Sequence, residues 1–178
     1  MHDPAEVRAR AAAIEVLALD VDGTLTDGRI YIGSHGEAMK AFSVRDGFGL
    51  TLLREAGLKL AIITARQSAI VECRAAELGI NTVMQGIRDK RAGIDALCHE
   101  LGVSRERVGF AGDDWTDLPA MLTVGFAATV ADAATAVRER AHWVSALPAG
   151  AGAIRELAEF ILDSRGELQS ALARRLPQ

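Results

Sequence analysis

An α/β fold, with a mainly parallel sheet covered by helices on both faces, follows from three features of the chain. Short apolar runs alternate with longer helical stretches. The runs show little apolar/polar alternation, as strands buried on both faces require. The chain has 178 residues, 49% of them apolar, enough for one sizeable core.

The strand candidates are VLALD (16–20), LAIIT (60–64), TVMQ (82–85), VGFAG (108–112) and VGFA (124–127). Helix candidates fall near 47–56, 67–78, 89–101, 115–122, 132–140 and 151–163. Such alternation predicts parallel strands joined by crossover helices. Gly57, Gly79 and Gly102 each follow a helical stretch, where a left-handed terminal residue is wanted. Ser104 and Asp132 stand where N-caps are expected, and Asp46 is placed to cap the helix after it. Residues 149–153, AGAGA, read as a flexible turn into the last helix, and 164–178 as a frayed helix or disordered tail. One segment departs from the pattern. Residues 29–44 hold two strand-like stretches around Gly-Ser-His-Gly, a β-hairpin inserted after the first strand. No repeat or linker divides the chain. It reads as a single domain, 1–178, a Rossmann-like three-layer sandwich.

Composition narrows the function. Twenty Lys and Arg against 24 Asp and Glu give a formal charge of -4, with no basic run. Nothing therefore favours nucleic acid, and an anionic substrate must be met by a few local cations. The opening is charged and unlike a signal peptide, and no apolar run reaches the roughly 18 residues of a membrane span. The expectation is a cytoplasmic protein without membrane contact. Cys73 and Cys98 lack metal or redox spacing and read as reduced, buried helix residues. His35 reads as an exposed turn residue, and Trp115 and Trp143 as packing residues.

The strongest chemical signal is Asp20-Val21-Asp22-Gly23-Thr24, at the C-terminal end of the first strand. Ligands of open α/β sheets bind at that edge. One carboxylate can attack phosphorus to form an acyl phosphate, while the second protonates the leaving oxygen and then activates water. Gly23 lets backbone amides approach an anion. Next comes Gly112-Asp113-Asp114-Trp115-Thr116-Asp117, after another buried strand. Three carboxylates in six residues call for a cation, and hard oxygen ligands favour Mg2+. Asp20, Asp113 and the backbone carbonyl of Asp22 are the expected ligands, with Asp114 and Asp117 behind them or binding through water. Thr64 ends the second strand and Lys90 opens a helix; both can hold phosphate oxygens.

These four motifs, in order and spacing, resemble those of the haloacid-dehalogenase superfamily. The resemblance implies Asp20 as nucleophile, Asp22 as acid/base, Thr64 and Lys90 as phosphate ligands and Asp113 as metal ligand. Only the hairpin occupies the slot where larger relatives carry a cap domain. MKAFSVRDGFGL (39–50), ITARQSAIVECR (63–74), GDDWTDLPAM (112–121) and AHWVS (141–145) are similar to the 3-deoxy-D-manno-octulosonate 8-phosphate phosphatase family. That resemblance implies a small phosphorylated sugar acid as substrate, supply of a lipopolysaccharide inner-core sugar, and a capless homotetramer whose hairpins associate. It also places Arg66, Arg74 and Arg45 near the substrate. Relatives often carry Gly-Arg-Gly or Gly-His-Gly where this chain has AGAGA. Other readings are a phosphatase for a nine-carbon sugar acid 9-phosphate, a phospho-accepting signalling domain, and a silent regulatory subunit.

Overall fold

The computed structural model describes residues 2–176. Its centre is a six-stranded parallel sheet. The strands are β1 Val16–Leu19, β4 Lys59–Ile63, β5 Thr82–Met84, β6 Val108–Ala111, β7 Phe126–Thr129 and β8 Trp143–Val144. They lie in the order β5-β4-β1-β6-β7-β8. The chain runs outward from β1 to one edge, then returns to β1's other side, so the crevice between diverging connections opens at the tips of β1 and β6.

Each face of the sheet is covered, as the apolar runs require. Leu17 and Leu19 of β1 join a core with α1 (Pro4–Ala13), α2 (Val44–Glu55), α3 (Ala69–Leu78) and α7 (Ala153–Ser164). Their neighbours Val16 and Ala18 face the opposite core, with Ile94 and Leu97 of α4 (Lys90–Leu101), Ala120 and Met121 of α5 (Leu118–Met121) and Val137 of α6 (Thr135–Arg138). The period-two alternation of a strand thus sends successive apolar residues into different layers. The expected hairpin is present, as β2 Tyr31–Gly33 paired antiparallel with β3 Gly36–Met39. Its apolar side chains, including Ile32 at 78% exposure and Met39 at 57%, face solvent.

Several expectations are revised. The charged opening forms α1, capped by Asp3 accepting from the Ala5 amide, with Val7 and Ala11 turned to the core. Helix α2 begins earlier than expected, on Ser43, which accepts from the Asp46 amide. Asp46 itself caps a different helix: its carboxylate accepts from Gly152 N at 3.2 Å and Arg155 N at 2.8 Å, at the start of α7. The stretch expected as helix 115–122 is a 3-10 turn, Trp115–Asp117, followed by α5. Strand β7 starts at Phe126, and Gly125 before it lies against the Glu106 backbone, where a Cβ would meet the carbonyl oxygen at 2.0 Å. Ser104 precedes a 3-10 turn, Arg105–Arg107, without a side-chain capping bond. Asp132 bonds the Ala149 amide instead of capping the short α6, and β8, two residues long, left no pattern to read.

The AGAGA turn is packed, with Gly150 against the Thr26–Asp27 backbone. The tail forms α8, Leu168–Ala173, burying Ala171; residues 177–178 of that expectation lie outside the described residues. Cys73 is exposed rather than buried, because α3 turns Val71 and Ala75 inward and Cys73 away from them; Cys98 is partly buried. Trp115 is also exposed, its turn giving the inward position to Asp117, whereas Trp143 packs on Phe160 with centroids 5.4 Å apart. Gly57, Gly79 and Gly102 all take positive φ after their helices, and His35 is exposed in the hairpin turn. Among the described residues, no helix is long and apolar enough to cross a membrane.

Candidate active site

Strand register assembles the site. Leu19 stands opposite Ile62 of β4 and Ala111 of β6, so Asp20, Thr64 and Asp113 emerge together at one sheet edge. The Asp20 amide donates to Ala111 O at 2.9 Å, fixing where the chain leaves β1. Beyond it the backbone turns at Gly23, with φ +88°. A Cβ there would lie 2.2 Å from Asp113 Oδ2, so this position needs glycine for space as well as for conformation. Thr24 Oγ1 donates to Asp113 Oδ1 at 3.2 Å, tying the two motifs across the edge.

Asp20, Asp113 and Asp117 can bring one carboxylate oxygen each to within 4.8 Å of one another. Lys90 enters this cluster from the start of α4, positioned by Asp89, which accepts from the Arg91 and Ala92 amides. Its ammonium lies 2.6 Å from Asp20 Oδ1 and also bonds Asp117 Oδ1, while the side chain is only 2% exposed. A buried lysine is tolerated because two carboxylates face it. Burial opposes its charge, yet Asp20 and Asp117 hold its pKa above the ordinary lysine value.

The carboxylates are shifted upward as well, which for them disfavours the charged form. Burial, then the Asp117 charge, push Asp20 up to about 6 against the opposing pull of Lys90. Burial, then Asp117 and Asp20, push Asp113 up to about 7. Three carboxylates facing one ammonium thus leave excess negative charge in a largely buried cluster. A hard divalent cation fits this donor set. Asp117 is the least free to bind it: Oδ2 accepts from the Asp113 and Asp114 amides at 2.9 and 3.1 Å, and Oδ1 from Lys90. Asp20 and Asp113 are then the side chains left to hold the ion. Asp117, fully buried, positions both the Asp113 backbone and Lys90. Asp114 stays outside the cluster, exposed, accepting from the Trp115 amide.

Thr64 is 3% exposed at the β4 tip, its backbone bonded to Met84 and Ile87. Asp22 faces a different set of charges. Lys40 bonds its Oδ1, and Arg66 Nε lies 3.5 Å from Oδ2. Both cations also reach Glu37 Oε1, Lys40 at 2.9 Å and Arg66 at 3.4 Å. Ser68 donates to the other Glu37 oxygen. Burial opposes ionisation of Glu37, but Ser68, Lys40 and Arg66 outweigh it and hold the carboxyl below its ordinary value. Sequence reasoning missed Glu37, Lys40 and Ser68. A hairpin lysine carries no local mark that distinguishes it from a solvated one.

The other two arginines are engaged elsewhere. Arg45 Nη2 donates to Ala151 O at 2.9 Å. Arg74 pairs with Glu77 at 2.7 Å, reaches Ser43 O and lies over the Phe42 ring.

Comparison with known proteins agrees with this geometry. A profile of the haloacid dehalogenase-like hydrolases matches residues 68–157, which include Lys90 and Asp113. The 3-deoxy-D-manno-octulosonate 8-phosphate phosphatase of Escherichia coli strain K12 is 42% identical over 94% of this chain and 89% of its own. The Moraxella catarrhalis enzyme of the same name, solved with magnesium, phosphate and the sugar acid, superposes with a TM-score of 0.95 at 37% identity, covering 98% of this chain and all of that one. The Yersinia pestis enzyme gives 0.89 at 41% identity, over 92% and 89% of the two chains. With strand-tip aspartates, buried lysine and whole-chain similarity in agreement, the chain belongs to the haloacid dehalogenase-like hydrolases and, among them, to the 3-deoxy-D-manno-octulosonate 8-phosphate phosphatase family.

Proposed function

We propose that this chain is a magnesium-dependent phosphomonoesterase that hydrolyses 3-deoxy-D-manno-octulosonate 8-phosphate to the free sugar acid and phosphate. The observation that carries this reading is the Lys90 ammonium held between Asp20 and Asp117 beside Asp113, at the tips of β1 and β6. The similarity to enzymes of that name supports the choice of substrate.

Asp20 is the nucleophile. One of its oxygens attacks phosphorus as the bond from phosphorus to the sugar oxygen breaks, giving an aspartyl phosphate and an alkoxide that takes a proton from Asp22. Asp22 then accepts a proton from water as that water attacks phosphorus. The acyl phosphate bond breaks and Asp20 is regenerated. Lys90 and the Thr64 hydroxyl hold phosphoryl oxygens, and Gly23 keeps the backbone close enough to contribute amides. Magnesium, held by Asp20, Asp113 and the Asp22 carbonyl, supplies positive charge that offsets the phosphate. Arg66, 44% exposed beside Asp22, is the cation assigned to the sugar-acid carboxylate, with Arg45 and Arg74 as further substrate-binding candidates. The chain works as a cytoplasmic homotetramer in which exposed hairpins pair and neighbours shield each site from water. Its product supplies lipopolysaccharide inner-core assembly.

The test is phosphate release from a panel of sugar phosphates by the purified full chain with magnesium. The eight-carbon sugar acid phosphate should be turned over fastest. A clear preference for a nine-carbon sugar acid 9-phosphate would replace the substrate, and a stable phosphoprotein without turnover would indicate a signalling domain. Full turnover by Asp20→Asn would refute the nucleophile.

A further inference from the structure

The hairpin has its polarity reversed relative to an ordinary surface element. Ile30, Ile32 and Met39 are exposed at 43%, 78% and 57%, while the Lys40 side chain is completely buried. Apolar packing therefore gives little account of where the hairpin sits on the sheet edge. A closed ring of alternating charge does: Lys40 contacts Asp22 and Glu37, and Arg66 contacts the same two carboxylates from the other side. Ser68, just before α3, completes the attachment through Glu37, and its own amide is held by Gln85 Oε1 at 2.7 Å. One aspartate of the β1 motif is thus bound to Lys40 of the hairpin segment and Arg66 of the loop after β4, with Glu37 of the hairpin bridging the two cations.

The two cations of the ring are not equivalent. Arg66 is 44% exposed and its contacts are long, 3.5 and 3.4 Å, so it can exchange them for a substrate carboxylate at little expense. Lys40 has no exposed side-chain surface and sits close to both partners, so removing it strands two carboxylates. We propose that Lys40 is a positioning residue for Asp22: with Glu37 as its anchor, it fixes the acid/base carboxylate against the leaving oxygen and makes catalysis depend on the docked hairpin. The proposal rests on the reading of Asp22 as acid/base. It deepens that reading by naming what holds Asp22 when Arg66 turns to substrate.

The test uses the full-length protein with magnesium, in excess over substrate, and follows release of the alcohol or phenol, the first chemical step alone, from two phosphate esters. The sugar acid phosphate has an alkoxide leaving group that needs a proton, whereas p-nitrophenyl phosphate releases a phenolate that does not. Lys40→Met should slow the sugar ester about 10- to 100-fold, the effect of misplacing a catalytic group by about an ångström. It should slow the aryl ester less than about threefold, and Lys40→Arg should recover part of the loss. Lys40→Gln, close in length and polar, should repeat the Met pattern and guards against a folding artefact. Equal slowing of both esters by Lys40→Met and Lys40→Gln, or no slowing of either, would overturn the positioning role. Asp22→Asn is the control for the underlying reading: it should discriminate between the esters in the same direction. If it does not, the acid/base assignment falls, and the role of Lys40 with it.

Discussion

Replacing Lys90 with Met isolates the charge at the centre of the site. Methionine keeps most of the apolar stem that runs beside Phe110, whose ring lies 5.8 Å from the ammonium, so the change is chiefly electrostatic. The variant leaves Asp20, 7% exposed, and Asp117, fully buried, without their shared cation. Breaking one side of a buried ion pair costs about 3–5 kcal/mol. At about 2–4 °C per kcal/mol for a chain of this size, the melting temperature should fall by about 6–20 °C without metal. The sign with pH is fixed. Lys90 is protonated throughout the neutral range, so the carboxylates set the slope. Asp20 already sits at about 6 against 3.8 unfolded and rises further without Lys90, so the folded state binds more protons. Stability then falls with rising pH, and the deficit should be larger near pH 8 than near pH 5. Circular-dichroism melts in EDTA at those two pH values check this, and adding magnesium should recover part of the loss. Turnover should drop about 10²- to 10³-fold as the phosphoryl oxygens lose their cation. A variant as stable as the parent near pH 8 without metal, or one retaining more than a tenth of its turnover, would refute the reasoning.

Three further outcomes are expected. Asp113→Asn should abolish magnesium binding by isothermal titration, yet melt higher than the parent in EDTA near pH 8, because burial and Asp117 raise the folded pKa of Asp113 to about 7 and its ionisation destabilises the metal-free fold between about pH 4 and 7. Gly23→Ala should cost about 1–2 kcal/mol in chemical denaturation for its positive φ alone, and should weaken magnesium affinity as the new methyl displaces Asp113. Asp46→Ala should lower stability by about 1–2 kcal/mol by uncapping α7, with kcat for the sugar acid phosphate essentially unchanged.

Much of this architecture is readable from local pattern. The buried strands are continuous apolar runs, the Gly57, Gly79 and Gly102 helix ends are marked by residues that tolerate positive φ, and the β1 and β6 motifs sit at strand tips where chemistry is placed. Two-residue β8 was beyond such reading because so short a run shows no alternation, whereas the short α6 falls inside the helix expected over 132–140. Residues 115–122 looked uniformly helical, but the first turn, opened by a capping box of Asp114 and Asp117, is 3-10.

The amino-acid order alone settled the layered α/β plan and the aspartates at the strand ends, since both depend on neighbours a few residues away. Folding in three dimensions assigned the partners. It placed Asp117 beneath Lys90, set Lys40 and Glu37 around Asp22, and sent Asp46 to cap α7 from 106 residues away. Burial and charge pairing act through space, and a lysine or aspartate looks the same in sequence whether water or a buried counter-charge surrounds it.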